Sequence, residues 1–339
     1  MKLAKWIALA ALAALPFAAV PAQAQAPVKI RVAWVVPIAN LPSLLMVKPE
    51  LMRNNGKSYV FEPVRFQGTP PMITALATGE LDIADFAYSS LALAIQNAGM
   101  NDLKIIADES RDGYADYYTA PFFVLKDGPI KEIKDLKGKS VASVGAGSAV
   151  DIALRAMLRK NGLEDKRDYN VVEAGFPNMA AMLTSKKVDL ISSVLPFSLD
   201  PELQKVARPL FTIKDAIGPA QLVVWAAREP FLTKNRAAVL DFLEDSIRVQ
   251  QWLVDPKNRA EVLQLAGKVA NQPPERLSSW LFTKADNYRD PNLVPDIKAL
   301  QSNIDVQSEL GFLKSKIDIS KYVDLSLVQE AAKRYSQSK

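Results

Sequence analysis

Neither cysteine nor histidine occurs in the 339 residues. Without histidine there is no imidazole base for Ser-His-Asp or Cys-His hydrolysis and no HExxH zinc site. Without cysteine there are no structural disulfides, so the fold rests on its apolar cores, and no thiol can carry a lipid anchor. Charge of one sign is also lacking: 42 basic against 37 acidic residues leave a formal +5, too weak and scattered for a nucleic-acid surface, which needs a clustered basic patch. Complete nucleotide loops are missing as well. Gly145-Ala146-Gly147 follows a strand pattern and precedes a helical one, but Val150 stands where a dinucleotide fingerprint has its third glycine, and no Gly-Lys-Ser or Gly-Lys-Thr completes a phosphate loop.

These absences leave carboxylate or lysine chemistry open. Glycosidase-like catalysis requires two carboxylates facing across a cleft, and no pair is singled out. Most of Asp82/Asp85, Asp108/Glu109, Asp112/Asp116 and Glu244/Asp245 read as solvated charges on helices and loops; Arg111 and Arg155 are candidates to pair an anionic ligand, though a lone arginine is usually a surface cation.

Long apolar runs are nearly absent too. The one at the start, Trp6 to Val20, is broken by Pro16 and is shorter than the ~20 residues a membrane span needs. Lys2 and Lys5 precede it and small residues follow, the order of a secretory signal peptide. We assign residues 1–24 to that signal, preferring a cut after Ala24 to one after Ala26, which would leave Pro27 first. The expectation is export to the bacterial periplasm as a soluble protein without a lipid anchor. The mature remainder exceeds the length at which single cores usually split, so two domains are expected.

What is present is a repeat. "GTPPMITALATGELDI" (68–83) returns as "GFPNMAAMLTSKKVDL" (175–190), with Gly, Pro, Met, Leu and Asp in register at 68/175, 70/177, 72/179, 76/183 and 82/189. Each copy follows a run of β-formers and ends in a short apolar strand, so each reads as strand, turn, helix, strand. Around them strand and helix alternate, the pattern of α/β architecture with a mainly parallel sheet. Strands are expected at 28–35, 59–66, 81–86 and 103–109, with helices at 43–54, 70–78 and 89–98. A second block has strands at 140–144, 170–174, 188–193 and 208–212, with helices at 149–161 and 178–186. Extended runs at 117–129 and 218–231 separate the blocks, and a helical tail follows. Two lobes joined twice account for this order, with one copy of the repeat in each: 27–119 plus 222–339, and 120–221.

Polar residues and prolines open four of these helices, at Thr69-Pro70, Ser89 or Ser90, Ser148, and Pro177-Asn178. A helix start carries about half a positive charge and free N–H groups. In an open α/β sheet such starts lie at the carboxyl ends of the strands, where ligands bind. Tyr88, Tyr117, Phe176 and Phe197 stand beside turns or crossings, where aromatic rings wall a pocket for an organic ligand. Trp34 and Phe86 read as core.

"DGPIKEIKDLKGKSVASVGAGS", Asp127 to Ser148, closely resembles the lobe-joining segment of periplasmic substrate-binding proteins of ABC importers for nitrate, taurine and alkanesulfonates, in a superfamily that also includes thiamine-pyrimidine synthesis proteins. "FQGTPPMITALATGELDIADFAYSSLALAIQNAG", "EPFLTKNRAAVLDFLEDSIRVQQWLVDPKNRAEVL" and "LGFLKSKIDISKYVDLSLV" are similar to that family's first-lobe element, C-terminal helix pair and closing segment. The resemblance covers essentially the whole mature chain. It implies a type II two-lobe binding fold with two hinge crossings, a monomer that delivers its ligand to an inner-membrane permease and its cytoplasmic ATPase. It implies no catalysis, cofactor or metal. Matching positions imply ligand contacts at Pro37, Asn40, Thr69, Pro70, Tyr88, Ser89, Gly147, Ser148 and Asn178. Many members carry a Trp-acid-Pro-aromatic element where this chain has "VLPFSLD", which keeps Pro196 and Phe197 but lacks the Trp and the acid. The departure speaks against taurine. A small organic anion, sulfonate or carboxylate, is the expected ligand, with a neutral pyrimidine-like heterocycle as the alternative. The pyrimidine-synthase branch consumes a histidine, which this chain does not have.

Overall fold

The computed structural model describes residues 26–338, so the signal reading of residues 1–24 lies outside them. Ten strands are β1 (Val28–Trp34), β2 (Tyr59–Arg65), β3 (Ile83–Ala87), β4 (Leu103–Asp112), β5 (Pro121–Leu125), β6 (Lys139–Ser143), β7 (Tyr169–Glu173), β8 (Leu190–Ser192), β9 (Ala207–Thr212) and β10 (Ala220–Arg228). They form two five-stranded sheets in the orders β2-β1-β3-β10-β4 and β7-β6-β8-β5-β9. β1 pairs in parallel with β2 and β3, and β6 with β7 and β8. β10 is antiparallel to β3 and β4, and β5 to β8 and β9. Each sheet is therefore mainly parallel with one antiparallel strand, and that strand is the first one laid down after the chain crosses between the sheets.

The repeated stretch occupies the same place in both sheets. It links β2 to β3 through α1 (Pro71–Ala77), and β7 to β8 through the helix Phe176–Thr184. Its shared residues have matching tasks. Met72 and Leu76 are buried in one copy, Met179 and Leu183 in the other. Asp82 accepts a hydrogen bond from the backbone N–H of Arg31 in β1 at 2.8 Å, and Asp189 accepts one from Ser140 in β6 at 3.1 Å. Both carboxylates thus latch the returning chain onto the neighbouring strand, β1 or β6, second in the order of its own sheet.

α2 (Tyr88–Gln96) follows β3, and α3 (Ala149–Lys160) follows β6. They pack within one hydrophobic core that runs from the first sheet into the second. Phe176–Thr184 is α4. The helical tail supplies α5 (Arg236–Val254), α6 (Arg259–Ala270), α7 (Ile297–Glu309) and α8 (Ser326–Gln337). On α5, Phe242 stacks on Trp225 and Phe61 with ring centroids 5.6 and 5.8 Å apart.

The helix expected at 43–54 does not form. Two single 3-10 turns, Leu41–Ser43 and Pro49–Leu51, stand there instead. Pro49 has no N–H to give a helix and drives Lys48 out of the helical region, to φ −137° and ψ 78°. No described helix is long and apolar enough to cross a membrane.

Candidate functional site

Between the two sheets lies a cavity of about 110 Å³. From the first sheet it is bordered by Val35, Val36 and Asn40 after β1, Thr69 before α1, Asp85 in β3 and Asp112 at the end of β4. From the second come Val144 after β6, Ser148 before α3, Phe176 opening α4 and Leu195 after β8. The ends of parallel strands from both sheets therefore converge on one space, as expected of a ligand site in this architecture. A wider hollow of about 570 Å³ shares Gly68 and Val144 with it and is walled by the two repeated turns.

Asn40 closes the loop after β1: its Oδ1 accepts from the N–H groups of Val35 and Val36 at 3.0 and 2.8 Å, and its amide donates to Glu109 at 3.4 Å. Thr69 Oγ1 pairs with Ser90 Oγ at 2.7 Å. Phe176 stacks on Phe197, centroids 6.2 Å apart and planes 19° from parallel. Ser148 caps α3 by accepting from the N–H of Asp151. The Asp151 carboxylate in turn accepts from the N–H of Gly147 at 2.9 Å and pairs with Arg155. The anion seat expected at this helix start is thus filled by the chain's own carboxylate. α2, by contrast, begins after Ala87 on the cavity wall without any side-chain cap.

Of the residues expected at the site, Asn40, Thr69, Ser148 and Phe176 border the cavity, and Pro70 and Asn178 line the wider hollow. Phe197 stands behind Phe176. Pro37 borders neither space. Tyr88 and Ser89 are fully buried in α2, where the Tyr88 hydroxyl donates to the Ala149 carbonyl at 3.3 Å. This bond ties the helix following β3 to the helix following β6. Gly147, at φ +81°, faces Leu93. Tyr117 sits edge-on to Tyr288 at 5.2 Å with the Lys284 ammonium over its ring.

The acidic pairs depart furthest from expectation. Asp85, Asp108, Glu109 and Asp112 are buried, because β3 and β4 are covered on both faces rather than one. Glu244 and Asp245 are buried as well, paired with Arg248. Arg111 and Arg155 are not surface cations: Arg111 donates to the Val294 carbonyl, and Arg155 is held by Asp151 and Asp165. Burial pushes Asp112 up to about 6, against hydrogen bonds from Thr119 at 2.6 Å and the Ala120 N–H at 2.8 Å. Asp108 likewise rises to about 6. Glu109 rises to about 7 despite accepting from the Leu41 N–H at 2.5 Å.

Asp85 is the extreme case. It is fully buried, neither carboxyl oxygen has a hydrogen-bond partner, and it borders the cavity. Burial first, then the neighbouring Glu109, pushes its carboxyl well above the usual range, while the nearby Trp225 indole N–H pulls the other way. Among the described residues no lysine or arginine borders the cavity, and no group of side chains suited to a metal ion is found.

Sequence reasoning missed Val35, Val36, Asp85, Asp112, Tyr118 and Asn287, all on the cavity wall. Asp85 shares "LDIADF" with Asp82, which is bonded to Arg31, and nothing in the stretch itself separates the two carboxyls. Asn287 arrives from the far end of the chain, and nothing local marks it.

A sequence model of the NMT1-like family matches residues 23–267. No curated protein matches the chain in sequence. Among solved structures, the alkanesulfonate-binding protein SsuA from Xanthomonas axonopodis pv. citri, bound to MOPS, superposes with a TM-score of 0.69 at 19% identity, covering 89% of this chain and 100% of that one. The periplasmic nitrate-binding protein NrtA from Synechocystis PCC 6803 gives 0.69 at 16% identity, over 91% of this chain and 89% of that one. The desulfurization enzyme DSZB gives 0.64 at 14%, over 91% and 99%. The shared architecture is the two-lobe fold of periplasmic binding proteins, which carries binding proteins and an enzyme alike.

Proposed function

The chain belongs to the NMT1-like family, and on that premise we propose that it is the periplasmic solute-binding protein of an ABC importer. In this reading it works as a monomer, catalyses no reaction, and hands a small organic solute to an inner-membrane permease with its cytoplasmic ATPase. The observation that carries the reading is the cavity between the sheets, bordered by strand ends and helix starts from both. Residues 27–119 with 222–339 form one lobe and 120–221 the other, hinged at the two crossings. Contacts from both lobes to one ligand exist only when the lobes are together, so ligand shifts the hinge toward closure. The leader-like residues 1–24 supply the route to the periplasm.

The organic part of the solute packs on Val35, Val144, Leu195, Phe176 and Tyr118. The names of the structural neighbours favour a sulfonate or nitrate. Among the described residues that border the cavity none is a lysine or arginine, and its two acidic residues, Asp85 and Asp112, are fully buried, so an anionic head is held by backbone N–H groups and hydroxyls rather than by a cation.

The test is thermal unfolding of the mature protein, unfolded and refolded to shed carried-over ligand, against alkanesulfonates, taurine, nitrate, benzoate, phthalate and pyrimidines. Ligand at about 100 times its dissociation constant adds roughly 2.7 kcal/mol of stability. A rise in Tm with one chemical class is expected, and no rise with any class would reject the solute-binding reading.

A further inference from the structure

We infer that Tyr118 sets the length limit of the bound solute. Its ring is the wall between the inter-sheet cavity and a second hollow along β5 and β9, and a smaller side chain there admits a longer chain. The inference rests on the solute-binding reading of the cavity and names the residue that decides the size of its ligand.

The second hollow measures about 420 Å³, and Pro121, Phe123, Leu199 and Pro209 give it an apolar lining. Its two cations, Lys126 and Arg208, are turned away to backbone carbonyls, Lys126 to that of Gln204 and Arg208 to that of Ile130, each at 2.7 Å. Among the described residues Tyr118 alone borders both this hollow and the cavity.

Tyr118 is held at both ends. Its backbone N–H donates to the carbonyls of Lys284 and Asp286 at 3.0 and 3.2 Å, and its own carbonyl accepts from the Gly113 N–H at 2.8 Å. At the far end of the ring the hydroxyl pairs with Ser198 Oγ at 2.6 Å, on the turn Phe197–Leu199 that follows β8. The ring between these anchors packs against both large apolar cores. A side chain pinned at the chain crossing and again on the second lobe is a fixed wall, not a swinging one.

A cavity of about 110 Å³ is comparable with the ~150 Å³ engineered cavity that holds benzene, so it takes one ring or a short chain. With the head on N–H groups and hydroxyls and the organic part on Leu195, Phe176 and Tyr118, a longer chain ends against the Tyr118 ring. Removing that ring joins the cavity to the apolar hollow behind it. Each methylene that then finds a buried place tightens binding about fourfold.

The experiment is titration calorimetry of refolded, ligand-stripped protein with butanesulfonate, octanesulfonate, butyrate and octanoate. In the wild type the four-carbon member of the series that binds is expected to bind at least tenfold more tightly than its eight-carbon counterpart. Tyr118→Ala should reverse that order by at least tenfold, and Tyr118→Phe, which returns the ring, should return the short preference. Tyr118→Val takes the place of Tyr118→Ala if the latter does not fold. Wild-type affinity that rises through the eight-carbon probe, a folded Tyr118→Ala or Tyr118→Val protein that keeps the short preference, or a Tyr118→Phe protein that prefers the long chain overturns the inference while leaving the solute-binding reading standing. Binding of none of the four by wild type or variant also overturns it, and the solute-binding reading is then judged by the thermal panel alone.

Discussion

A methyl group at position 147 would lie 2.7 Å from Leu93 Cδ1, and the backbone there has φ +81°. Gly147 precedes α3 and Leu93 belongs to α2, and the Leu93 atom in the way is the far end of a flexible, half-buried side chain that can turn aside. Gly147→Ala should therefore cost about 1–3 kcal/mol, chiefly from left-handed backbone strain, with a small steric share. Urea denaturation of Gly147→Ala, Leu93→Ala and the double variant separates the two parts. Leu93→Ala should return the steric share and leave the backbone share; a neutral Gly147→Ala would show that the contact does not constrain the fold. The residue was visible in the sequence, but as a ligand contact implied by resemblance, because a glycine's empty side is defined only by what packs against it. Asp85 failed to show for a related reason. Alternation along a strand reports inside from outside only when one face meets water, and β3 is buried throughout. A carboxyl in such a strand looks the same in sequence as one at a surface edge.

Elements were more legible than residues where the chemistry was local. The five shared positions of the repeat were enough to predict strand, turn, helix and strand twice, since Met and Leu at helical spacing and a latch aspartate act within one unit. The start of α3 was legible as a cap at Ser148, but its occupant was not, because Asp151 folds back four residues to the Gly147 N–H while also holding Arg155. Removing one partner of a buried ion pair costs ~3–5 kcal/mol. Arg155 keeps Asp165, so Asp151→Ala should fall at the low end, about 3 kcal/mol. The variant also uncovers a helix start, which favours anions. Its Tm should rise more in sulfate than in chloride at matched ionic strength, and by more than the wild type's does. An equal sulfate response in both proteins would mean that Asp151 does not occupy an anion seat.

At the scale of the molecule, both sheets share one strand order, and the first concentrates buried carboxyls along β3 and β4. Asp108 and Asp112 are raised to about 6, Glu109 to about 7 and Asp85 further, each chiefly by burial. A carboxyl raised in the folded state binds its proton more tightly there than in the unfolded chain. Stability therefore falls as pH rises from the ordinary carboxylate range through those folded values. A shift of two units is worth about 3 kcal/mol as an upper figure for one group. Arg289 and the Leu41 N–H at Glu109, Arg111 and Gln221 at Asp108, and Thr119 at Asp112 work against burial without cancelling it. Carboxylates held low by their partners, Asp116, Asp135, Asp168 and Asp318, act in the opposite sense, but only below the usual carboxylate range. Between about pH 7.5 and 5.5 the buried set governs, so the Tm of the unliganded protein should rise as the solution is acidified. Asp112→Asn should flatten that slope by removing one contributor. A Tm that is flat or falls over this interval would mean that these carboxyls are not held protonated by the folded chain.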